Sequence, residues 1–197
     1  MVPHQSHLPR SLDNLRNLSN LMKTDLDLNK LYLDIQFTGP NGQVSISCMS
    51  PKINPISSVL EYLAKINTPK AKQLVIKCSD LLSRDLPYQT LLCMENLHSL
   101  KLFQCQSPHF LIHTLHPNTN SLEPVVCLKL EELILALHTN REVFDIKDLI
   151  NMVTTRAFRG SMLRIVRIVG GEGKPDPGDM LELRKHVLHV ECGPKWA

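Results

Sequence analysis

The motif Leu-x-x-Leu-x-Leu constrains the fold of this chain more than any other feature. It occurs at Leu97–Leu102 and again at Leu130–Leu135. The second copy is followed by a helical apolar pattern over residues 142–159 and then by a short apolar strand over residues 163–169. Asp145 is the expected N-cap of that helix and Gly160 its expected stop. A unit of one strand and one helix has a single apolar face, which it can bury only against a neighbouring unit. The motif therefore predicts an α/β fold of stacked repeats, in which a parallel sheet carries helices on one side.

The spacing of the predicted strands indicates a repeat of irregular length. Their centres lie at Leu74, Leu100, Leu133, Ile165 and Val187, with separations of 26, 33, 32 and 22 residues. These lengths are typical of leucine-rich repeats. A doubly wound α/β sheet is the competing architecture, and it needs helices on both faces and a reversal of strand order. We favour an irregular leucine-rich-repeat-like solenoid of about five to six strands, because the leading leucine of each motif suits the turn that enters a strand.

The two ends of the chain differ from the repeats in composition. Residues 1–11 contain prolines and histidines without periodicity, which predicts a flexible N-terminus. The repeat-like domain is then expected to cover residues 12–192, followed by a tail over residues 193–197. Within this domain residues 31–48 alternate between apolar and polar side chains on both sides of an Asn-Gly turn, which predicts a β-hairpin at the edge of the sheet.

The composition of the chain argues against several functional classes. An apolar content of 43% is enough for a continuous core, and the net charge of +3 is too small and too dispersed for a nucleic-acid or membrane-surface protein. No window of ~18 apolar residues is present, so no membrane span is expected. The six cysteines form no Cys-x-x-Cys pair and no secretory signal precedes them, so we expect reduced thiols in an intracellular protein, cytoplasmic or nuclear.

One histidine cluster has the spacing of metal ligands. Cys105, His109, His113 and His116 follow one another at intervals that place the three histidines on one helical face. Prolines bound the helix on both sides, so it can make barely two turns, and the sequence offers no carboxylate to orient the imidazoles. We therefore interpret them as surface histidines on a short connector and predict neither a metal nor any other cofactor.

The glycine-rich loop at residues 170–178 follows a predicted strand and could bind a phosphate. It matches neither the dinucleotide-binding nor the P-loop pattern, and the prolines at 175 and 177 obstruct an immediate helix N-terminus. No nucleophile elbow or zinc-protease motif occurs in the sequence. A small α/β enzyme or nucleotide binder that uses this loop, with Lys174 beside the phosphate, is the alternative hypothesis to a binding protein.

Four arginines form the densest positive region, at positions 156, 159, 164 and 167. Arg156 and Arg159 lie three residues apart, which places them on one face of the predicted helix. A solvated helix face is the ordinary interpretation of this pattern. The functional interpretation is a contact with an acidic partner surface, for which Arg156 and Arg159 are the candidate residues.

The C-terminal segments of the chain together resemble a known family. The segments are Leu130–Leu135, Phe144–Ile150, Arg156–Gly160, Leu163–Gly170 and Leu183–Glu191. In that order they resemble the end of the leucine-rich-repeat region of F-box proteins from mushroom-forming fungi, over about residues 125–192.

The resemblance implies a non-enzymatic protein-binding module. In that family an F-box helix bundle docks on the linker subunit of a cullin ubiquitin ligase, and the repeats select the substrate. Residues 1–29 are too short for the three-helix F-box, so we expect the repeat portion alone, with a protein partner and without docking on the linker subunit. No catalytic residue follows from the resemblance, because such adaptors have none.

Overall fold

One eight-stranded sheet organises the part of the chain that the structure describes. The computed structural model describes residues 23–29, 32–39, 42–49, 71–78, 91–92, 94–105, 108–117, 124–137, 145–170 and 176–193. The strands are β1 (Lys23–Asn29), β2 (Tyr32–Gly39), β3 (Gly42–Met49), β4 (Gln73–Cys78), β5 (Ser99–Cys105), β6 (Glu132–Leu137), β7 (Ile165–Val169) and β8 (His189–Gly193). The helices are α1 (His109–Leu115), α2 (Ile146–Phe158) and α3 (Pro177–His186). The predicted flexible N-terminus, residues 1–11, lies outside these ranges, as do residues 194–197 of the predicted tail 193–197, whereas Gly193 ends β8.

The strands follow one another across the sheet in the order β3-β2-β1-β4-β5-β6-β7-β8. Strands β4 to β8 are parallel neighbours in chain order, and β1 runs parallel to β4. The order reverses at β1, but β2 and β3 beyond it are joined by antiparallel pairing, whereas a doubly wound sheet continues with parallel strands there. The α/β class and the parallel sheet predicted from the leucine motif are therefore confirmed.

An antiparallel meander of β1, β2 and β3 extends the parallel sheet on one side. The predicted hairpin is confirmed as β2 and β3, with Gly39 opposite Gly42. Strand β1 was not predicted, although Leu26 and Leu28 alternate with aspartates. Because β1 pairs with both β2 and β4, it joins the hairpin to the parallel strands.

The leucine motif recurs in register across five strands. Its second apolar position is occupied by Leu74, Leu100, Leu133, Val166 and Val190, which are successive partners in the strand pairing. Its leading position, three residues earlier, is occupied by Ala71, Leu97, Leu130, Leu163 and Val187, each at most 3% exposed. All five strands begin two residues after that leading position, so the leading side chain lies in the turn that enters each strand, as expected, and points into the core.

The core lies between the helices and one face of the sheet. Leu100 and Leu133 on the strands belong to the same buried cluster as Leu111 on α1, Leu149 on α2 and Leu183 on α3. Burying a leucine of this kind stabilises the fold by about 1.5–3 kcal/mol. We call this side of the sheet the covered face.

Both long helices begin at an aspartate cap. Asp145 Oδ1 accepts a hydrogen bond from the backbone N–H of Lys147 at 2.9 Å, and Gly160 follows α2 with φ +76°, so the predicted cap and stop are confirmed. Helix α3 begins after Asp176, with Pro177 in its first turn. The prolines were expected to obstruct a helix start immediately after the loop, but the helix starts at Pro177, because its first turn needs no N–H from this residue.

Candidate functional site

Arg156, one of the two predicted partner contacts, is fully buried, with 0% of its side chain exposed. Nη1 donates to the carbonyl oxygens of Val126 at 2.8 Å and Leu115 at 3.3 Å. Nη2 donates to the carbonyl oxygen of Cys127 at 2.8 Å and to Oγ of Ser161 at 2.6 Å. In the described part of the chain this cation is thus held by peptide dipoles and a hydroxyl, with no carboxylate among its acceptors.

These hydrogen bonds join three segments that are distant in sequence. Arg156 binds the last carbonyl of α1, the turn at 126–129 and the segment after α2. Ser161 relays the connection, since its Oγ donates to the carbonyl oxygen of Leu128 at 2.7 Å. The turn needs this support because Cys127 has φ +49°, a conformation that is strained for a residue with a side chain. Arg156 therefore positions the turn that leads into β6.

The interpretation of Arg156 as a surface contact is corrected by this burial. Arg156 continues the buried stripe of Leu149, Met152 and Val153 at the seventh position, so it shares the apolar face of α2. Helix α2 ends at Phe158, and Arg159 occupies its C-cap, so the two arginines do not share a helix face. Arg159 is half-buried at the end of the helix, and its contact with a partner stays a prediction.

A second feature is the sheet face opposite the covered face. We call it the open face, and it carries Lys101, Glu132, Arg167, His189 and Glu191, whose positions alternate with covered-face residues along β5 to β8. Among the described helices, the buried apolar side chains all belong to the core cluster of the covered face. The exposed fraction of these charged side chains rises from 21% at Glu132 to 56% at His189, whereas the apolar side chains of Val75, Ile134 and Ala136 on the same face are at most 8% exposed. This face therefore carries partly exposed charged side chains beside buried apolar neighbours.

Acidic and basic groups alternate on the open face. Lys101 Nζ lies 3.5 Å from Glu132 Oε2. Arg167 Nε lies 2.8 Å from Glu191 Oε2, although its N–H is not aligned for a hydrogen bond. The hydrogen bond from His189, followed by the nearby charge of Arg167, lowers the pKa of Glu191. Because each cation has an anion beside it, the surface does not favour a polyanion, and it suits a protein surface that carries both signs of charge.

These open-face residues were not singled out from the sequence, although a signal was present. Lys101, Ile134, Arg167 and Glu191 occupy the same place in successive leucine motifs, between the second and third apolar positions. Ile134 is only 1% exposed, and the strand pairing places it between the stems of Lys101 and Arg167. Aligning the successive leucine motifs would have identified this row of positions, whereas the search for clustered arginines along the chain did not.

The histidine cluster lines a half-open cavity of about 590 Å³ between α1 and α2. His109 Nδ1 lies 3.2 Å from Asp148 Oδ2, which tethers the two helices. Thr155 Oγ1 lies 3.4 Å from His116 Nε2. Among the described residues no three histidine, cysteine or acidic side chains converge as metal ligands. The geometry thus provides a cavity with polar walls and supports no metal centre.

The glycine-rich loop is described only at its ends. Gly170 has φ +79°, and a Cβ atom built on it would lie 2.6 Å from the carbonyl oxygen of Leu137. Position 170 therefore requires a glycine because β7 packs closely against β6, and this requirement does not depend on any ligand. Residues 171–175, including Lys174, lie outside the described residues, so phosphate binding by this loop stays a prediction.

Two cysteines of the described region lie in contrasting environments. Cys127 is buried and its thiol donates to the carbonyl oxygen of Leu91 at 3.4 Å, whereas Cys192 is exposed. Burial raises the pKa of Cys127 to about 12, an effect that the charge of Arg156 only partly offsets. Burial in turn lowers the pKa of Arg156 to about 10, so the guanidinium remains a cation at neutral pH.

We expect N-ethylmaleimide at pH 8 to modify Cys192 in the native protein while Cys127 stays protected. The raised pKa decreases the thiolate fraction of Cys127 by roughly three orders of magnitude, and burial blocks the reagent as well. Peptide mapping by mass spectrometry, with and without denaturant, measures both sites. Equal labelling rates at the two cysteines in the native protein would contradict the buried placement of Cys127.

Comparisons with protein-family models, with curated proteins and with solved structures returned no match. Among the helices that the structure describes, none is long and apolar enough to cross a membrane.

Proposed function

We propose that this chain is a non-enzymatic protein-binding module, built as an incomplete leucine-rich-repeat-like solenoid. The observation that carries the proposal is the open face, where charged side chains of both signs stand on a parallel sheet. Rigid strands hold these side chains in a fixed row, so little conformational entropy is lost when a partner binds.

The family resemblance supports the same function. The segments that resemble F-box proteins include β6, α2, β7 and β8, which provide most of the open face. By that resemblance the module corresponds to the substrate-recognition part of a ubiquitin-ligase adaptor, and the proposed partner is a protein substrate. Buried leucines explain the conserved spacing of the motif within this chain, and the charged positions between them provide specificity.

The test is partner capture with the full chain and with the double variant Lys101→Glu/Arg167→Glu. We expect the wild-type chain to retain specific proteins from an extract of its own organism, and the double variant to lose them at least about tenfold. The ion pairs that this variant removes contribute at most about 1 kcal/mol each, so the fold should persist. Quantitative mass spectrometry of the retained proteins measures the loss, and circular dichroism checks the fold.

Lys147→Glu is the matched control, because Lys147 is an exposed lysine on α2, away from the open face. Equal retention by all three proteins would remove the open face as the binding surface. The alternative function predicts a different result, namely a nucleotide-induced rise in melting temperature that Lys174→Ala abolishes.

A further inference from the structure

Strand β8 forms one edge of the sheet in the part of the chain that the structure describes. The N–H of His189 donates to the carbonyl oxygen of Arg164 at 2.9 Å, so this residue directs its backbone groups toward β7. Because successive residues of a strand direct these groups to opposite sides, Val190 and Cys192 direct their N–H and C=O groups away from β7. The edge thus presents a row of backbone donors and acceptors with which another strand can pair.

The two faces of β8 differ in chemistry. On the open face, Nε2 of His189 lies 2.5 Å from Oε1 of Glu191. On the covered face, Val190 packs against the core cluster, and Sγ of Cys192 donates to Sδ of Met180 at 3.5 Å. A strand that pairs with this edge therefore meets a base and an acid on one face and apolar groups on the other.

Leu188, directly before β8, is a leucine at a position that is polar before β4 to β7. Its side chain is 71% exposed. The equivalent residues, which follow the leading position of the motif on those strands, are Lys72, His98, Glu131 and Arg164. An exposed leucine at this position is stabilised when another strand covers it. The exposure of Leu188 thus points to an occupant at the same edge as the outward backbone groups.

We propose that β8 pairs antiparallel with β8 of a second copy of this chain, with Val190 of one copy opposite Val190 of the other. The twofold axis of this pair is perpendicular to the sheet, so each face of one copy continues into the same face of the other. His189 then lies opposite Glu191 of the second copy, and Leu188 lies opposite Cys192 of the second copy. Every opposed pair is therefore either imidazole with carboxylate or apolar with apolar, which stabilises an antiparallel pair.

The order of side chains along β8 selects both this register and this occupant. Centring the pair on Glu191 would oppose two carboxylates, and centring it on His189 would oppose two imidazoles. The contact between His189 and Glu191 within one copy is exposed, so it can be exchanged for the contact across the pair. The selection thus depends on which residues are opposed and needs no excess of charge. A base and an acid two residues apart are their own complement when the strand is reversed.

The backbone groups agree with the same register. Val190 and Cys192 have their N–H and C=O groups directed outward, and by the same alternation so does Leu188. These are the opposed residues of the covered face, so each opposed pair can exchange both of its hydrogen bonds. Pairing β8 with the other edge strand, β3, of a second copy would be heterologous and would extend into filaments instead of closing. The inference does not rest on the proposed function, although the pair would join two open faces into one surface.

Sedimentation equilibrium of the full chain in reducing buffer tests the pairing. We expect a monomer–dimer equilibrium at protein concentrations up to roughly 100 µM, as is typical of a small interface. His189→Glu and Glu191→Lys each oppose like charges, so each should raise the dissociation constant at least about tenfold. An equimolar mixture of the two variants opposes unlike charges again and should restore dimers. Lys147→Glu, on α2, is the matched control and should leave the association unchanged.

Amide hydrogen exchange identifies the surface that pairs. The N–H groups of Val190 and Cys192 become hydrogen-bonded in the dimer, so their exchange measured by NMR should slow as the protein concentration rises. A chain that stays monomeric at all these concentrations would overturn the inference, and so would dimers that leave these two amides unprotected. Oligomers larger than dimers, or a mixture of variants that does not associate, would overturn it as well.

The outcome for the dimer is separable from the outcome for the proposed function. Circular dichroism of each variant checks that the monomer is folded, so a loss of association is not a loss of structure. Partner capture that depends on Lys101 and Arg167 in a monomeric chain would leave the proposed function in place without the dimer. Dimers that form through β8 while no partner is retained would leave the dimer in place without the proposed function.

Discussion

Replacing Arg156 with methionine is expected to lower the free energy of unfolding by about 3–5 kcal/mol. Replacing both partners of a buried ion pair by apolar groups can leave the free energy of unfolding unchanged, because no unpaired group stays buried. Here the partners are the peptide carbonyls of Leu115, Val126 and Cys127, which stay behind when the guanidinium is removed. The carbonyl oxygen of Cys127 keeps the hydrogen bond from the N–H of Leu130, but the carbonyl oxygens of Val126 and Leu115 lose the donor Nη1, and unsatisfied buried acceptors make the substitution costly.

Urea denaturation of both proteins at pH 7 measures the difference. Arg184→Met removes an exposed arginine and should change the stability by no more than about 1 kcal/mol. Arg156→Lys keeps the charge but loses the planar fork that reaches several acceptors at once, so an intermediate loss is expected. Wild-type stability in Arg156→Met would mean that the described hydrogen bonds do not hold the turn.

Gly170→Ala should lower the free energy of unfolding by about 3 kcal/mol. The backbone at Gly170 has φ +79°, which costs a residue with a Cβ atom about 1–2 kcal/mol. The added Cβ would also lie 2.6 Å from the carbonyl oxygen of Leu137, a backbone atom at the end of β6. Relieving that overlap requires β7 to move from β6, which adds about 1–3 kcal/mol.

Gly160→Ala is the control that separates the two effects. Gly160 has φ +76°, but nothing lies within 4 Å of a Cβ atom built on it, so only the conformational cost of about 1–2 kcal/mol applies. Thermal and urea unfolding of the two variants should therefore differ by about the steric contribution. Equal losses at the two glycines would show that β6 and β7 do not approach each other closely here.

The strands of the parallel sheet could be predicted from the sequence, because the leucine motif places apolar residues where a strand and its preceding turn must bury them. The helix caps at Asp145 and Gly160 could also be predicted, because each depends only on residues next to it in the chain. Strand β1 was not predicted, because its short alternation of leucine and aspartate forms a strand through pairing with β2 and β4, which lie on either side of it. The start of α3 was misjudged, because the effect of a proline depends on whether it falls inside a helix or in the first turn.

The sequence by itself determined which residues form the covered face and its core. Burial of apolar side chains is favourable whatever they pack against, so their spacing along the chain shows which positions face the core. The tertiary structure decided what happens to the charged residues. It buried Arg156 against carbonyls of two segments and the hydroxyl of a third, left Arg159 at the end of α2, and aligned Lys101, Arg167 and Glu191 on one face. Hydrogen-bond partners that are 29 to 41 residues away in the chain cannot be identified from local periodicity, and these partners fix where a charge lies.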